Sequence, residues 1–242
     1  MVLAGSRGGV DPVASYAAVT DKALIEVAGR TMLARVTDAL RSAGAARILV
    51  VHSSDAVRDH ALALGAEAMP GKAGPSASAA AAFDVLGAPL LVTTADHALL
   101  RPEWITAFLA AVPTDADVAA LLARRDVVEA AVPDTRRTWL RFADGEWSGC
   151  NLFHLATPRA AAAMTLWQEV ERDRKRPWRI VRRLGPGLLV RYVLGRLTLA
   201  EALARVGALA GVRAVMVPSP YGLAAVDVDK PGDLELVRRL LG

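Results

Sequence analysis

Aspartates lie at two points of the sequence where they could contact a bound ligand. Asp96 directly follows the apolar run 90–95, and Asp227 and Asp229 lie in an apolar run near the C terminus. In open α/β sheets, ligands bind at the carboxyl ends of parallel strands, which is where a strand at 90–94 would place Asp96. If 224–228 is a strand, alternation puts Asp227 and Asp229 on one face, where both could approach the same ion. The alternatives are that Asp96 caps the helix after Pro102 and that Asp227 only ends a strand.

A glycine-rich segment follows the first apolar run of the chain. Gly5, Gly8 and Gly9 leave backbone N–H groups free of side-chain bulk, so these groups can approach phosphate oxygens. The segment does not match the dinucleotide pattern G-x-G-x-x-G. Gly71-Lys72 is followed by alanine and so fails the Walker pattern. The segment is therefore either a phosphate loop of another type or a simple turn.

Positive charge is concentrated in residues 172–196. This segment has nine basic residues and one acid, a local net charge of +8, whereas the whole chain is +4. Such a segment implies a localised anionic partner, unless it is only a solvated helix face. Lys175, Arg176 and Arg179 surround an aromatic residue, as in a clamp for an acceptor phosphate or a contact with an anionic membrane. Apolar residues follow at 188–197, so we carry the hypothesis of a lipid-related acceptor beside that of ordinary core packing.

Hydrophobic periodicity predicts the elements that would position these residues. Strands are predicted at 2–4, 47–52, 89–94, 117–122, 212–217 and 224–228. Helices are predicted at 31–43, 56–64, 76–86, 103–111, 158–172 and 232–241. Residues 124–156 are predicted to be extended segments and turns that form a hairpin-bearing insertion, and 188–206 has helical spacing. The alternation favours a mostly parallel sheet covered by helices.

Composition bounds the class of protein. At 242 residues and 53% hydrophobic, the chain can bury a large core, which excludes a disordered or fibrous protein. The single cysteine, Cys150, excludes a disulfide framework within one chain and suits a reducing compartment, so we expect a cytoplasmic protein. The sequence has no apolar run long enough for a membrane span and no signal peptide at its start. It also lacks the broad basic surface and aromatic platform typical of nucleic-acid binding.

The order of the motifs resembles a known signature. Leu3-Ala4-Gly5-Ser6-Arg7-Gly8-Gly9, then Asp21-Lys22, then Val27-Ala28-Gly29-Arg30-Thr31-Met32-Leu33 is similar to the N-terminal pattern of nucleotidyltransferases with a glycosyltransferase-A-like fold. That superfamily includes MobA-like guanylyltransferases, cytidylyltransferases and sugar-phosphate nucleotidyltransferases. Two departures are the early Arg7 and the Asp21 that replaces a proline before Lys22. The segments around Asp96 and Asp229 are similar to two further elements of the superfamily, although Ala98 replaces a proline.

The resemblance implies roles for individual residues. Lys22 would bind the nucleotide phosphates, and Asp96 would hold catalytic Mg²⁺ with Asp229 and Asp227 as further ligands. Nucleotide binding is expected at Leu3, Ala4, Gly5, Ser6, Arg7, Gly8, Gly9, Lys22, Gly74, Ser76 and Ser78. Ser76 is alternatively only a helix N-cap. In the insertion, where relatives bind the acceptor, Asn151 would join Lys175, Arg176 and Arg179.

The implied fold is α/β, a Rossmann-like three-layer sandwich with a mostly parallel mixed sheet and an inserted hairpin and helical acceptor region. We expect one domain, with a core at 1–122 and 212–242 and an insertion at about 123–211. The implied reaction is Mg²⁺-dependent transfer of the NMP part of an NTP, with CTP or GTP favoured, to a phosphorylated small-molecule or lipid-linked acceptor. Two alternatives remain: a glycosyltransferase of the same fold, or a non-catalytic nucleotide-binding or membrane-peripheral protein. The sequence does not indicate the oligomeric state.

Overall fold

The structure is a computed structural model that describes residues 1–5, 11–133, 135, 137–173 and 185–242. The strands in these residues are β1 (Val2–Ala4), β2 (Glu26–Val27), β3 (Arg30–Thr31), β4 (Leu49–His52), β5 (Glu67–Pro70), β6 (Leu90–Thr94), β7 (Val118–Arg124), β8 (Leu140–Phe142), β9 (Gly145–Leu155) and β10 (Ala214–Ser219). The α-helices there are α1 (Pro12–Tyr16), α2 (Met32–Ser42), α3 (Asp55–Ala63), α4 (Pro75–Leu86), α5 (Pro102–Ala111), α6 (Arg125–Ala131), α7 (Ala160–Asp173), α8 (Pro186–Val193), α9 (Leu199–Leu209) and α10 (Pro231–Leu241). The chain divides into two compact units, one formed by 1–82, 91–110 and 226–242 and the other by 83–90 and 111–225.

The first unit is built on parallel strands in the order β6-β1-β4-β5. Val2 in β1 lies opposite Val50 of β4 on one side and Thr93 of β6 on the other, and all three are fully buried. Burial on both faces explains why these strands read as continuous apolar runs. The register brings the carboxyl ends of the strands to one edge of the sheet, with Ala4 opposite His52. The segments that follow the strands therefore begin at that edge.

Helix α2 shows how local sequence fixes the layer that covers this sheet. Its apolar residues recur at helical spacing, and Met32, Leu33 and Val36 are fully buried. Each such side chain contributes about 1.5–3 kcal/mol by leaving water. The Thr31 hydroxyl accepts a hydrogen bond from the Ala34 N–H at 3.1 Å and caps the helix N-terminus. Gly44, with φ of +89°, follows its C-terminal end and stops the helix close to the predicted boundary at residue 43.

The second unit has a mixed set of strands in the order β10-β7-β9, with β8 paired to β9. β10 runs parallel to β7, whereas β7 pairs with β9 and β8 with β9 in antiparallel fashion. Leu122, Trp147 and Leu199 form a buried cluster in this unit. The hairpin between β8 and β9 confirms the prediction of a hairpin in this region.

The chain has an α/β three-layer fold with a mostly parallel mixed central sheet, as the sequence predicts. The predicted division into a core and an insertion at about 123–211 stays a prediction. In the part of the chain that the structure describes, no helix is long and apolar enough to cross a membrane.

Three local predictions are wrong. Within 124–156, residues 125–131 form α6 rather than an extended segment, and an Arg125–Glu129 ion pair one turn apart supports this helix. The predicted helix 188–206 is two helices, because the chain turns at Gly195 (φ +63°) and starts again at a Thr198–Glu201 capping box. Residues 224–228 do not form a strand; a 3₁₀ turn at Gly222–Ala225 leads into an irregular segment.

Candidate functional site

Three charged side chains meet in the first unit. The Lys22 ammonium donates a hydrogen bond to Asp96 Oδ2 at 2.6 Å, and Lys22 Nζ lies 3.7 Å from Asp229 Oδ1. The residues are far apart in sequence, so the fold alone brings them together. We call them the Lys22–Asp96–Asp229 cluster. All three are residues for which the sequence resemblance implies phosphate or metal binding.

Asp96 is held at the carboxyl edge of the parallel strands. Just beyond β6, the Ala95 N–H donates to the Leu3 carbonyl at 2.9 Å, which extends the pairing with β1 by one residue. The Asp96 carbonyl accepts from the Val228 N–H at 3.1 Å, so the segment before α10 is fastened to Asp96 by its backbone. The side chain of Asp96 is only 14% exposed. The backbone around Asp96 is thus fixed by two hydrogen bonds, one to β1 and one to the segment before α10, and these position its carboxylate.

Lys22 begins a short 3₁₀ turn, Lys22–Leu24, whose apolar members fix its position. Ala23 and Ile25 are buried, and the Ile25 N–H donates to the Lys22 carbonyl at 3.1 Å. The preceding residue, Asp21, accepts a hydrogen bond from the Ser54 hydroxyl at 2.9 Å. Ser54 is the N-cap of α3. This turn is therefore tied to α3 at the residue next to the ammonium group.

Asp229 lies in the irregular segment before α10. Its N–H and that of Lys230 donate to Asp233 Oδ2 at 3.0 and 2.9 Å, a capping arrangement at the start of α10. The Asp229 side chain is 63% exposed, while Asp227 is half-buried. Since 224–228 is not a strand, the argument that alternation puts both aspartates on one face fails. The proximity of Asp229 to Lys22 arises from the capped turn instead.

The electrostatics of the cluster keep Lys22 charged. Burial alone would lower the pKa of the ammonium, but the neighbouring carboxylates, Asp96 foremost and then Asp229 and Asp11, outweigh burial and raise the pKa above its ordinary value. Lys22 is thus a cation throughout the neutral range. A permanent cation at this point can neutralise phosphate charge without changing its protonation state.

One carboxylate oxygen of the cluster has no hydrogen-bond partner among the described residues. Within that part of the chain, Asp96 Oδ1 is buried and accepts no hydrogen bond, although Oδ2 receives the Lys22 ammonium. A buried acceptor of this kind is costly unless something binds it. Among the described residues, no group of three or more His, Cys, Asp or Glu side chains could hold a metal ion. Mg²⁺ needs only one or two protein carboxylates beside phosphates and water, so Asp96 and Asp229 fit that ion when nucleotide is present.

The segment that the sequence assigns to the nucleobase forms a tight turn before α4. Gly71 packs so closely that a side chain there would approach the His52 carbonyl at 3.2 Å. The Ser78 hydroxyl accepts from the Lys72 N–H at 2.9 Å, and the Gly74 carbonyl accepts from the Ser78 N–H at 2.9 Å. Ser76 lies inside α4 rather than at its N-cap. Ser76 and Ser78 are both buried, and Ser78 stabilises the turn through these hydrogen bonds.

The structure places the remaining candidate residues unevenly. Leu3 and Ala4 are in β1 and Gly5 follows at its carboxyl end, whereas Ser6, Arg7, Gly8 and Gly9 lie outside the described residues. Asn151 lies in β9 of the second unit with a left-handed φ of +48°, where the pairing of β7 and β9 shifts register. Such bulges re-aim side chains and are frequent near active sites. Lys175, Arg176 and Arg179 lie outside the described residues.

Sequence reasoning missed two residues that support the cluster. Asp21 stands out in the sequence only as a departure from a motif, and its hydrogen bond with Ser54 could not be read from spacing. Asp11 caps α1 by accepting from the Val13 and Ala14 N–H groups at 2.8 and 3.0 Å. The Asp11-Pro12 pair is a recognisable start signal for a helix and could have located this carboxylate.

A sequence model of the MobA-like NTP transferase domain matches residues 1–216. The chain belongs to this family. Members of the MobA-like family and its structural neighbours are nucleotidyltransferases, so the chain is a transferase of this general kind. A search of the curated proteins returned no match.

Solved structures agree with this assignment. A protein from Thermus thermophilus called a hypothetical transferase is 31% identical, with a TM-score of 0.82 over 96% of this chain and 98% of that one. CTP:phosphocholine cytidylyltransferase from Streptococcus pneumoniae is 13% identical, with a TM-score of 0.59 over 100% and 97% of the two chains. A nucleotidyl transferase from Methanothermobacter thermautotrophicus is 16% identical, with a TM-score of 0.56 over 99% and 95%. At such low identity, the last two show that the MobA-like chain shares their fold.

Proposed function

We propose that the protein is a Mg²⁺-dependent nucleotidyltransferase that joins the NMP part of an NTP to a phosphorylated acceptor and releases pyrophosphate. The observation that carries the proposal is the Lys22–Asp96–Asp229 cluster, where a buried carboxylate oxygen with no partner in the described part of the chain lies beside a permanent cation. A cation and two carboxylates at the carboxyl edge of parallel strands suit a metal-bound triphosphate. CTP and GTP are the favoured nucleotides. A solved neighbour whose name includes CTP makes that nucleotide the first to test.

In this proposal the residues of the chain align and neutralise the reacting groups. Lys22 holds phosphate oxygens of the NTP. Further donors are expected, from the sequence resemblance, in the glycine-rich segment 5–9, of which 6–9 lie outside the described residues. Asp96 and Asp229 would hold Mg²⁺, which, when bound, offsets the charge that builds up on the triphosphate. Asn151 in the second unit is our candidate for binding the acceptor.

The reaction itself needs no proton transfer. An oxygen of the acceptor phosphate forms a bond to the α-phosphorus of the NTP while the bond to the β-phosphate oxygen breaks, and pyrophosphate leaves with that electron pair. A phosphate oxygen is already ionised near neutral pH, so a general base is unnecessary and alignment supplies much of the rate. This agrees with the cluster, which offers a charged lysine and two aspartate side chains.

Pyrophosphate release tests the proposal. Each of the four NTPs is supplied with Mg²⁺ and a panel of phosphorylated small molecules and lipid-linked phosphates. We expect release only when one NTP and one acceptor are both present. Asp96→Asn keeps the size of the side chain but removes its charge, and should lower the rate by about 10²–10³.

The matched control is Asp59→Asn. Asp59 is also paired with a cation, Arg58, at 2.9 Å, but it is exposed on α3. This variant should react like the wild type. If the folded protein binds no Mg²⁺-NTP, the proposed function is wrong. Cleavage of a nucleotide-sugar without pyrophosphate release would instead favour the glycosyltransferase alternative.

A further inference from the structure

The loop between β4 and α3 contacts both segments to which the sequence resemblance assigns phosphate binding. It consists of Ser53 and Ser54. On one side, a Cβ added to Gly5 at the end of β1 would lie 3.9 Å from the Ser53 Cβ, which is ordinary contact. On the other side, the Ser54 hydroxyl donates a hydrogen bond to Asp21 Oδ2 at 2.9 Å. Because Asp21 directly precedes Lys22, this short loop adjoins the turn that carries the ammonium group.

Ser54 is held in place by the helix that it starts. Its backbone is extended, and its hydroxyl accepts a hydrogen bond from the Val57 N–H at 3.3 Å. Val57 is fully buried, so the first turn of α3 is fixed in the core of the first unit. The hydroxyl has a single proton, which it donates to Asp21. Helix α3 is therefore a fixed point to which the Asp21 carboxylate is attached.

The Asp21 backbone starts the 3₁₀ turn that carries Lys22. The Asp21 carbonyl accepts from the Leu24 N–H at 3.0 Å, and the next carbonyl accepts from the Ile25 N–H at 3.1 Å. Ile25, at the far end of the turn, is fully buried, whereas Asp21 and Lys22 are half-buried. Apolar packing thus fixes one end of the turn, and the hydrogen bond between Asp21 and Ser54 fixes the other.

The Asp21 carboxylate faces the α3 hydroxyl rather than the ammonium group of the next residue. The carboxylates that raise the pKa of Lys22 belong to other residues, namely Asp96, Asp229 and Asp11. Asp21 is not one of these counter-ions, although it is the neighbour in sequence. The Asp21 side chain therefore acts on the lysine through the backbone of the turn.

The position of this backbone matters because the lysine side chain is long and flexible. A four-carbon stem separates the ammonium from the main chain, and in the structure the ammonium reaches Asp96 Oδ2 at 2.6 Å. A shift of the turn by about 1 Å would lengthen a contact between the ammonium and a phosphate oxygen beyond hydrogen-bonding distance. Anchoring of the turn is thus a means of aiming the ammonium.

We propose that Ser54 and Asp21 are positioning residues for Lys22. The hydrogen bond from Ser54 to Asp21 holds the turn against α3, so that the ammonium reaches the phosphates of a bound NTP. Neither of the two side chains contacts the nucleotide in this role. The inference rests on the proposed function, because that function assigns the NTP phosphates to Lys22.

Calorimetric binding of a Mg²⁺-nucleotide to the full chain tests the proposal without turnover. The probe is the Mg²⁺ complex of whichever of the four NTPs the wild type binds, with CTP tried first. Asp21→Ala breaks the bond and leaves the cap of α3 intact. Loss of a negative charge near the phosphates would by itself strengthen binding, whereas loss of positioning weakens it. We expect binding that is about tenfold weaker than that of the wild type.

The conservative variant Asp21→Asn separates the hydrogen bond from the charge. It removes the same negative charge as Asp21→Ala but keeps an oxygen that accepts a proton from Ser54. This variant should bind the nucleotide at least as tightly as the wild type. If Asp21→Asn is weakened as much as Asp21→Ala, the carboxylate charge rather than the hydrogen bond is what matters, and the proposal is wrong.

Ser54→Gly removes the donor without changing the charge. Glycine is tolerated at a helix N-cap, so α3 should still form. We expect nucleotide binding about tenfold weaker than in the wild type, and no further loss when Asp21→Ala is added, because both changes break the same bond.

The matched control for this variant is Thr198→Gly in the second unit. Thr198 caps α9 by the same chemistry, since its hydroxyl accepts from the Glu201 N–H at 3.2 Å and donates to Glu201 Oε2 at 3.0 Å. The control should bind the nucleotide like the wild type.

Steady-state pyrophosphate release distinguishes positioning from a loss of folded protein. A smaller folded fraction lowers kcat and leaves KM unchanged. A misplaced Lys22 instead raises the KM for the NTP by about tenfold and leaves the KM for the acceptor unchanged.

Thermal unfolding checks that each variant is folded at the assay temperature. If the wild type binds a Mg²⁺-NTP and the folded Asp21→Ala and Ser54→Gly variants bind it equally well, the positioning role is refuted while the proposed function stands. If the wild type binds none of the four, both proposals fall together.

Discussion

Removal of the Lys22 ammonium should strengthen the binding of Mg²⁺ in the absence of nucleotide. In the structure Lys22 Nζ lies 2.6 Å from Asp96 Oδ2 and 3.7 Å from Asp229 Oδ1, so it occupies the space in which these carboxylates would meet a metal ion. Mg²⁺ alone must compete with this cation. Lys22→Met preserves the apolar stem and removes the competitor.

The size of the effect follows from the exposure of the pair. A charge pair 4 Å apart is worth about 4 kcal/mol at an effective dielectric constant near 20. The Lys22 side chain is 23% exposed and that of Asp229 63%, and solvent weakens such charge pairs. We therefore take about 1.4 kcal/mol as the free energy gained by Mg²⁺ binding when the ammonium is removed, which corresponds to a tenfold increase in Mg²⁺ affinity. Nucleotidyl transfer should fall about 10²–10³-fold, because the cation that binds the phosphates is gone.

Isothermal titration calorimetry with Mg²⁺ alone, together with pyrophosphate release, measures both effects. The control is Arg58→Met, since Arg58 also contacts two carboxylates, Asp55 at 2.6 Å and Asp59 at 2.9 Å, but on the exposed side of α3. It should change neither quantity. If folded Lys22→Met binds Mg²⁺ no more tightly than the wild type, Asp96 and Asp229 are not the metal ligands.

Three further predictions concern the second unit. Asn151→Ala should be less stable than Asn151→Gly by about 1 kcal/mol in urea unfolding, because alanine tolerates the left-handed φ of +48° poorly; equal stabilities would mean that the backbone relaxes. The Thr157 hydroxyl and the backbone N–H of residue 213 donate to Asp117 and hold its pKa in the folded protein below its usual range. The carboxylate therefore contributes its full share of the folding stability above its ordinary pKa, and this contribution is lost as the pH falls through the lower pKa of the folded state. Asp117→Asn should therefore reduce the fall in melting temperature as the pH drops below about 4, and an unchanged acid slope would contradict this assignment. Gly207→Ala would place a Cβ 2.7 Å from a backbone carbonyl and should cost about 1–3 kcal/mol, whereas Gly187→Ala in α8 has open space and should cost nothing measurable.

Much of the fold could be predicted from the sequence because its signals are local. Buried parallel strands such as β1 and β4 read as apolar runs, and Gly44 and Gly65, both with positive φ, mark helix ends. Helix α6 was not predicted because it is short and contains two valines, and the pattern of a short amphipathic segment resembles that of a strand. The Thr198–Glu201 capping box is a sequence signal for a new helix start, and it could have predicted the break between α8 and α9.

The candidate site was predictable residue by residue but not as an arrangement. Motif positions pointed to Lys22, Asp96 and Asp229, yet no spacing rule brings together residues from three distant parts of the chain. Their contact depends on main-chain bonds such as that from the Val228 N–H to the Asp96 carbonyl, which only the folded chain reveals. The expected alternation of Asp227 and Asp229 was wrong because a 3₁₀ turn replaces the strand.

The most direct test of the metal and nucleotide site is a crystal structure with Mn²⁺, which replaces Mg²⁺ and can be located by anomalous scattering, and a CTP or GTP analogue that cannot be cleaved. We expect an anomalous peak within about 2.5 Å of Asp96 Oδ1, the buried oxygen to which no described residue donates, with Lys22 Nζ moved onto a phosphate oxygen. A bound nucleotide whose metal ion contacts neither Asp96 nor Asp229 would contradict the proposed site.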